Sequence, residues 1–129
     1  MPAHLLDTNI ALFATGDPAR LTSAARKAIL SGNNALSVLS YWEVTIKSMK
    51  GSLDVGDPRV WWSNALEQLS ATVLPVRPNH VTGVYSLPSL HKNPFDRLLI
   101  AQAIAEGLTL ITADREIVTY ANAGLKSIT

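Results

Sequence analysis

Cysteine is absent from this chain, which excludes disulfide scaffolds, thiolate zinc sites and thiol nucleophiles. Long apolar runs are missing too. None approaches the ~18 residues of a membrane span, and the opening MPAHLLDTN lacks the basic start and apolar stretch of a signal peptide. The chain is therefore expected in the cytoplasm. Charge is sparse, at 16% of residues against 47% apolar, so the composition does not fit a disordered chain. Net charge is only +1, short of the strongly basic balance of a dedicated nucleic-acid-binding domain. No GxxxxGK, GxGxxG or GxSxG occurs, so the P-loop, dinucleotide and nucleophile-elbow readings lack their motifs. The chain has 129 residues. A chain of that size buries roughly two thirds of its surface around one core, so a single domain spanning 1–129 is expected.

What is present alternates short β-like runs with helical stretches. His4-Leu5-Leu6 reads as a buried strand, followed by a short helix to about Ala14. Thr22–Leu30 is an amphipathic helix stopped by Ser31-Gly32-Asn33-Asn34, and Ala35–Val38 is a second strand. Ser40–Lys50 has helical periodicity, with Trp42, Ile46 and Met49 on one face. Asp57-Pro58 caps a further helix, Thr72–Leu74 is a third strand, and Asn79–Leu87 is a short helix. Asn93-Pro94 opens an apolar helix closed by Gly107; Leu108–Ile111 is a strand, Arg115–Asn122 a helix, and Lys126–Ile128 a last short strand. Strands separated by helices imply crossover connections. The fold class is therefore α/β, a three-layer α/β/α domain with a central, mainly parallel sheet.

Four acids stand in unusual places. Asp7 and Asp114 each follow an apolar strand, Glu43 opens the helix after the second strand, and Asp96 lies in the first turn of the apolar helix. Ligands of open parallel sheets bind beyond the carboxyl ends of the strands, which is where this topology gathers all four. Each has an ordinary reading: Asp7 and Asp114 as helix caps, Ser40-x-x-Glu43 as a capping box, Asp96 as a favourable charge at a helix start. Taken together, four converging carboxylates repel one another unless a cation is bound. An all-oxygen site favours magnesium, with manganese as a substitute, and such cations activate water and clamp phosphate oxygens. Thr8, Asn9 and Thr112 are candidates to hydrogen-bond the carboxylates. Glu116 reads mainly as a solvated helix position. His4 and His80 read as packing or surface residues, and His91 as a loop histidine. The tryptophans read as packing residues rather than base-stacking ones.

The blocks Leu5-Leu6-Asp7-Thr8-Asn9, Ser40-Tyr41-Trp42-Glu43-Val44, Asn93-Pro94-Phe95-Asp96-Arg97-Leu98-Leu99-Ile100-Ala101-Gln102-Ala103 and Leu110-Ile111-Thr112-Ala113-Asp114 together resemble a PIN-domain ribonuclease of the VapC-like toxin type. The resemblance covers nearly the whole chain. It implies a magnesium-dependent endonuclease acting on RNA as the toxin of a toxin–antitoxin pair, with Asp7, Glu43, Asp96 and Asp114 as its catalytic acids. It also implies a cognate antitoxin, a toxin homodimer and a toxin–antitoxin hetero-oligomer. Two departures stand out. Asn93 replaces an acidic residue common in relatives, and the C-terminus lacks their bulky aromatic end, so the last strand is expected to be short or loosely docked.

Setting those four acids aside leaves six against eleven bases, a clear positive excess outside the site. Lys47, Lys50, Arg97 and Arg115 follow closely on site residues and are candidates to hold RNA phosphates. Two rival classes remain. A non-catalytic RNA- or protein-binding module on the same fold has no use for four clustered acids beside a phosphate chain. A phosphotransferase of the haloacid-dehalogenase type needs an aspartate where Asn9 stands.

Overall fold

The computed structural model describes residues 2–129. Its strands are β1 (His4–Leu6), β2 (Asn34–Ser37), β3 (Ala71–Leu74), β4 (Thr109–Ile111) and β5 (Lys126–Ile128). They form one sheet in the order β3-β2-β1-β4-β5, and every pairing is parallel. The helices are α1 (Thr8–Gly16), α2 (Ser23–Leu30), α3 (Val38–Met49), α4 (Pro58–Gln68), α5 (Pro78–Tyr85), α6 (Pro94–Glu106) and α7 (Arg115–Val118).

Strand periodicity makes the layers. Successive side chains leave a strand on opposite faces, and here adjacent apolar residues divide accordingly. Leu6, Leu36 and Ile111 pack with Ile10, Ala25, Val44 and Ala65 from α1 to α4. Leu5, Ala35 and Leu110 pack with Leu39, Leu99, Ile100 and Ile117 on the other face. Both faces are thus covered, which is why the strands read as short continuous apolar runs. The apolar helix opening at Asn93-Pro94 is observed as α6, ended by Gly107 in the left-handed conformation, where a glycine lacks the Cβ penalty.

Several boundaries differ from the sequence-based expectation. Asn34 belongs to β2 rather than to the stop before it. It is buried, and its amide nitrogen donates to the carbonyls of Ile29 and Leu69, 2.9 Å each. α3 starts at Val38, because Ser37 is both the last strand residue and the N-cap, its hydroxyl accepting from Leu39 N–H. The capping box at Ser40 and Glu43 is therefore not formed, and Glu43 sits in the second turn. The buried residues of α3 are Leu39, Ser40 and Val44, whereas Trp42 and Met49 are exposed. The final helix is shorter than expected and continues as a 3-10 turn over Thr119–Ala123. The last strand is short, as expected, but paired along its length with β4.

Chain direction matters most for function. From β1 the chain steps outward through β2 to β3, then crosses to β4 and β5 on the other side of β1. The border between β1 and β4 is the topological switch point, where helices diverge and leave a crevice at the carboxyl edge.

Candidate active site

Asp7 leaves β1 at that crevice, and Asp114 follows β4 across it. Both also serve as helix caps. Asp7 Oδ1 accepts from Ile10 N–H at 2.8 Å, and Asp114 Oδ1 accepts from Glu116 N–H at 2.9 Å. Capping and site membership are thus compatible, since a carboxylate has acceptor capacity left after one such bond. Asp96 lies in the first turn of α6, whose cap is Asn93, its side chain accepting from Phe95 and Asp96 N–H. Glu43 enters from α3, is 12% exposed, and is held by Lys47 one turn on, Nζ to Oε2 3.1 Å.

The four acids line one cleft of about 250 Å³, together with Thr8, Asn9, Lys47 and His91. Their crowding has electrostatic consequences. The Asp7 carboxyl is raised to about 6, chiefly by burial, with the charges of Asp96 and Asp114 adding to the rise and the Thr112 hydroxyl and Ile10 N–H opposing it. Asp96 is also raised, first by burial, with the charges of Glu43 and Asp114 adding to it and His91 opposing. Each acid of the quartet therefore feels at least one of the others.

His91 is the residue that sequence reasoning missed. Its Nε2 lies 2.7 Å from Asp96 Oδ2 and 3.7 Å from Asp114 Oδ2, and its Nδ1 lies 2.7 Å from Glu116 Oε2. Glu116 thus reaches the site despite its exposure. Burial disfavours charge on this imidazole, but Asp96, with the charges of Asp114 and Glu116, outweighs it and holds its pKa above the usual histidine value. One donor atom from each of His91, Asp96 and Asp114 falls within 4.8 Å of the other two. The donor set of carboxylate oxygens, with one imidazole, fits a divalent cation.

The remaining candidates separate. Thr112 is wholly buried beside Asp7, and its hydroxyl also accepts from Asp114 N–H at 3.0 Å. It therefore touches two of the acids. Thr8 does not act on a carboxylate; its hydroxyl donates to Ser40 Oγ at 3.0 Å, joining α1 to α3. Asn9 is exposed at the cleft lip. Lys47 and Lys50 line a groove with Lys92 that adjoins the acids at Glu43. Arg115 lies elsewhere, in a depression shared with Arg20.

Arg97, a candidate phosphate contact from the sequence, is engaged within the chain. Its guanidinium donates to the carbonyls of Pro88, His91, Val84 and Leu87 and to the Tyr120 hydroxyl. It fastens the segment before α6. His80 is a packing residue, wholly buried, accepting from Arg77 N–H and pairing with Glu106.

A fully parallel sheet with acids gathered at its switch point is the arrangement expected of a PIN domain, and residues 4–123 match that family. The chain belongs to the PIN-domain family. Within it, the resemblance is to VapC proteins: Ribonuclease VapC22 of Mycobacterium tuberculosis (strain ATCC 25618 / H37Rv) is 30% identical over 119 residues, 91% of each chain. Two solved structures share the fold at low identity. A chain of VapBC2 from Rickettsia felis, bound to a DNA fragment from their promoter, aligns with a TM-score of 0.71 at 18% identity, covering 98% of this chain and 97% of that one. A chain of DNA-bound VapBC from Salmonella typhimurium gives 0.71 at 17% identity, covering 99% and 98%. Among the described residues, no helix is long and apolar enough to cross a membrane.

Proposed function

We propose that this chain is a metal-dependent RNA endonuclease acting as the toxin of a toxin–antitoxin pair. The convergence of Asp7, Glu43, Asp96 and Asp114 in one cleft at the β1/β4 switch point carries this reading. The ribonuclease name of the M. tuberculosis relative supports the activity. The VapBC structures, some holding DNA, support a DNA-binding antitoxin as partner. A toxin homodimer, a toxin–antitoxin hetero-oligomer and a single domain spanning the chain belong to the same reading.

Magnesium, or manganese in its place, would be held by Asp7, Asp96 and Asp114, with Glu43 as a further ligand or as the acceptor that orients the attacking water. When bound, the cation supplies Lewis acidity and charge neutralisation at the scissile phosphate. The protein's own groups do the rest. Thr112 fixes Asp7 and the backbone of Asp114, so two acids keep a common orientation across the β1/β4 border. Lys47 pairs with Glu43 one turn away, Nζ to Oε2 3.1 Å, and both side chains line the cleft. Lys47, Lys50 and Lys92 provide a basic groove leading to the acids, where RNA phosphates are neutralised. In-line attack by water leaves a 5′-phosphate and a 3′-hydroxyl.

A non-catalytic module on this fold is the alternative, and one assay separates the two. Purified without its partner, the chain should cut structured RNA with magnesium or manganese, stop in chelator, and yield 5′-phosphate ends. Cyclic 2′,3′-phosphate ends, or cleavage persisting in chelator, would exclude the mechanism. Expression should arrest bacterial growth, and Asp7→Ala should relieve the arrest while remaining soluble; undiminished toxicity would remove Asp7 from the site.

A further inference from the structure

The imidazole of His91 is largely buried, its side chain 14% exposed. It reaches the acid cleft from the segment between α5 and α6, with both ring nitrogens directed at carboxylates. The segment is held firmly. Its His91 N–H donates to the buried Tyr120 hydroxyl at 2.9 Å, its His91 carbonyl accepts from Arg97, and Tyr120 itself donates to Pro88 O at 3.0 Å. Backbone on both sides of the imidazole is therefore tied to α6 and to the turn after α7. Such support from neighbouring hydrogen bonds is what keeps a reacting group or ligand in place.

The direction of the two nitrogens is specific. Nε2 faces Asp96 and Asp114, which share a 4.8 Å neighbourhood with it. Nδ1 faces Glu116, 2.7 Å away. A histidine that binds a metal through one nitrogen commonly donates its other N–H to a carboxylate, which fixes ring orientation and raises ligand basicity. Glu116 occupies that position, and its carboxylate is otherwise 67% exposed. As a surface ion pair alone, the contact contributes little.

We propose that His91 is a nitrogen ligand of the cation held in this cleft, beside Asp96 and Asp114 and oriented by Glu116, and that it shifts the site's preference from magnesium toward manganese. This rests on the reading of the acid cluster as a cation site. The shift follows from ligand softness: imidazole suits transition ions, whereas magnesium favours an all-oxygen shell. His91→Ala therefore weakens manganese binding about tenfold or more and magnesium binding by much less. Glu116→Gln, which removes only the orienting charge, weakens manganese binding less than His91→Ala and leaves the nitrogen in place.

The test uses manganese alone as probe, titrated into the metal-free full chain with any histidine tag removed. Loss of the free-ion electron paramagnetic resonance signal gives the affinity, and electron spin-echo modulation reads directly bound nitrogen. The expected result is a nitrogen coupling in the parent and in Glu116→Gln, absent from His91→Ala and His91→Gln, both of which still bind manganese more weakly. Manganese bound by the parent without nitrogen coupling overturns the proposal and leaves the acid site standing, with His91 only its counter-charge. Coupling that survives in both His91 variants overturns it too. Absence of any manganese binding by the parent overturns both this proposal and the cation reading beneath it.

Discussion

Asp7 combines a local and a distant role, and its titration reports on both. Its carboxyl is raised to about 6 from 3.8, chiefly by burial, and Asp96 and His91 are raised as well. At all three the folded chain holds a proton more tightly than the unfolded chain, so metal-free stability falls as pH rises. The Asp7 contribution is complete below pH 3.8 and lost as pH passes about 6; it amounts to about 3 kcal/mol. His91 extends the loss above its ordinary 6.5. Melting curves in chelator should therefore drop as pH rises from 3.8 through about 6 and on past 6.5, and Asp7→Asn should flatten the lower part of that drop. A profile that is level or rises would contradict the crowding and burial of these groups. These acids were legible because each adjoins a strand end or a helix start, so local pattern placed them on one edge. His91 was not, because what fixes it is Tyr120 and Arg97, one of them 29 positions away.

At the scale of elements, the segment before α6 is the part that local pattern could not describe. Arg97 was read as a phosphate contact from its neighbourhood to Asp96, but its guanidinium collects the carbonyls of Val84, Leu87, Pro88 and His91. Arg97→Ala leaves those acceptors without a charged donor and should destabilise the fold by about 2–3 kcal/mol; Tyr120→Phe should do so by about 1 kcal/mol. Thermal melting checks both. An Arg97→Ala protein that melts like the parent yet binds RNA more weakly would restore the phosphate reading. α3 shows a different limit. Ser40 looked like a cap because serine commonly is one, yet it is buried against Thr8, and Ser37 caps instead. The helix therefore starts earlier and presents Trp42, 57% exposed, to solvent beside the ring of Phe95. Strand order was legible only as parallelism; which strand pairs with which is set by non-local crossovers.

Across the whole molecule, the modest net charge of +1 hides a separation. Acids are concentrated at the β1/β4 crevice, and Lys47, Lys50 and Lys92 line the adjoining groove. If RNA follows that groove, replacing each lysine with glutamine should weaken binding similarly across sequences and lower the salt slope by ~1 per contact. Filter binding over a range of salt concentrations reads this directly, and an unchanged slope would place the RNA elsewhere. Four melting curves decide whether the four carboxylates form one cation site: parent and Asp96→Asn, each in chelator and in magnesium. If Asp96 is only a favourable charge in the first turn of α6, the variant melts slightly lower in both conditions, by ~0.3–1 kcal/mol. If it crowds the other acids, the metal-free variant melts at the parent's temperature or above it. Magnesium at ~100 times its dissociation constant should stabilise the parent by ~2.7 kcal/mol, roughly a 10 °C shift for a domain of this size, and the variant much less. A variant that melts lower in chelator and keeps the full magnesium shift would contradict the site.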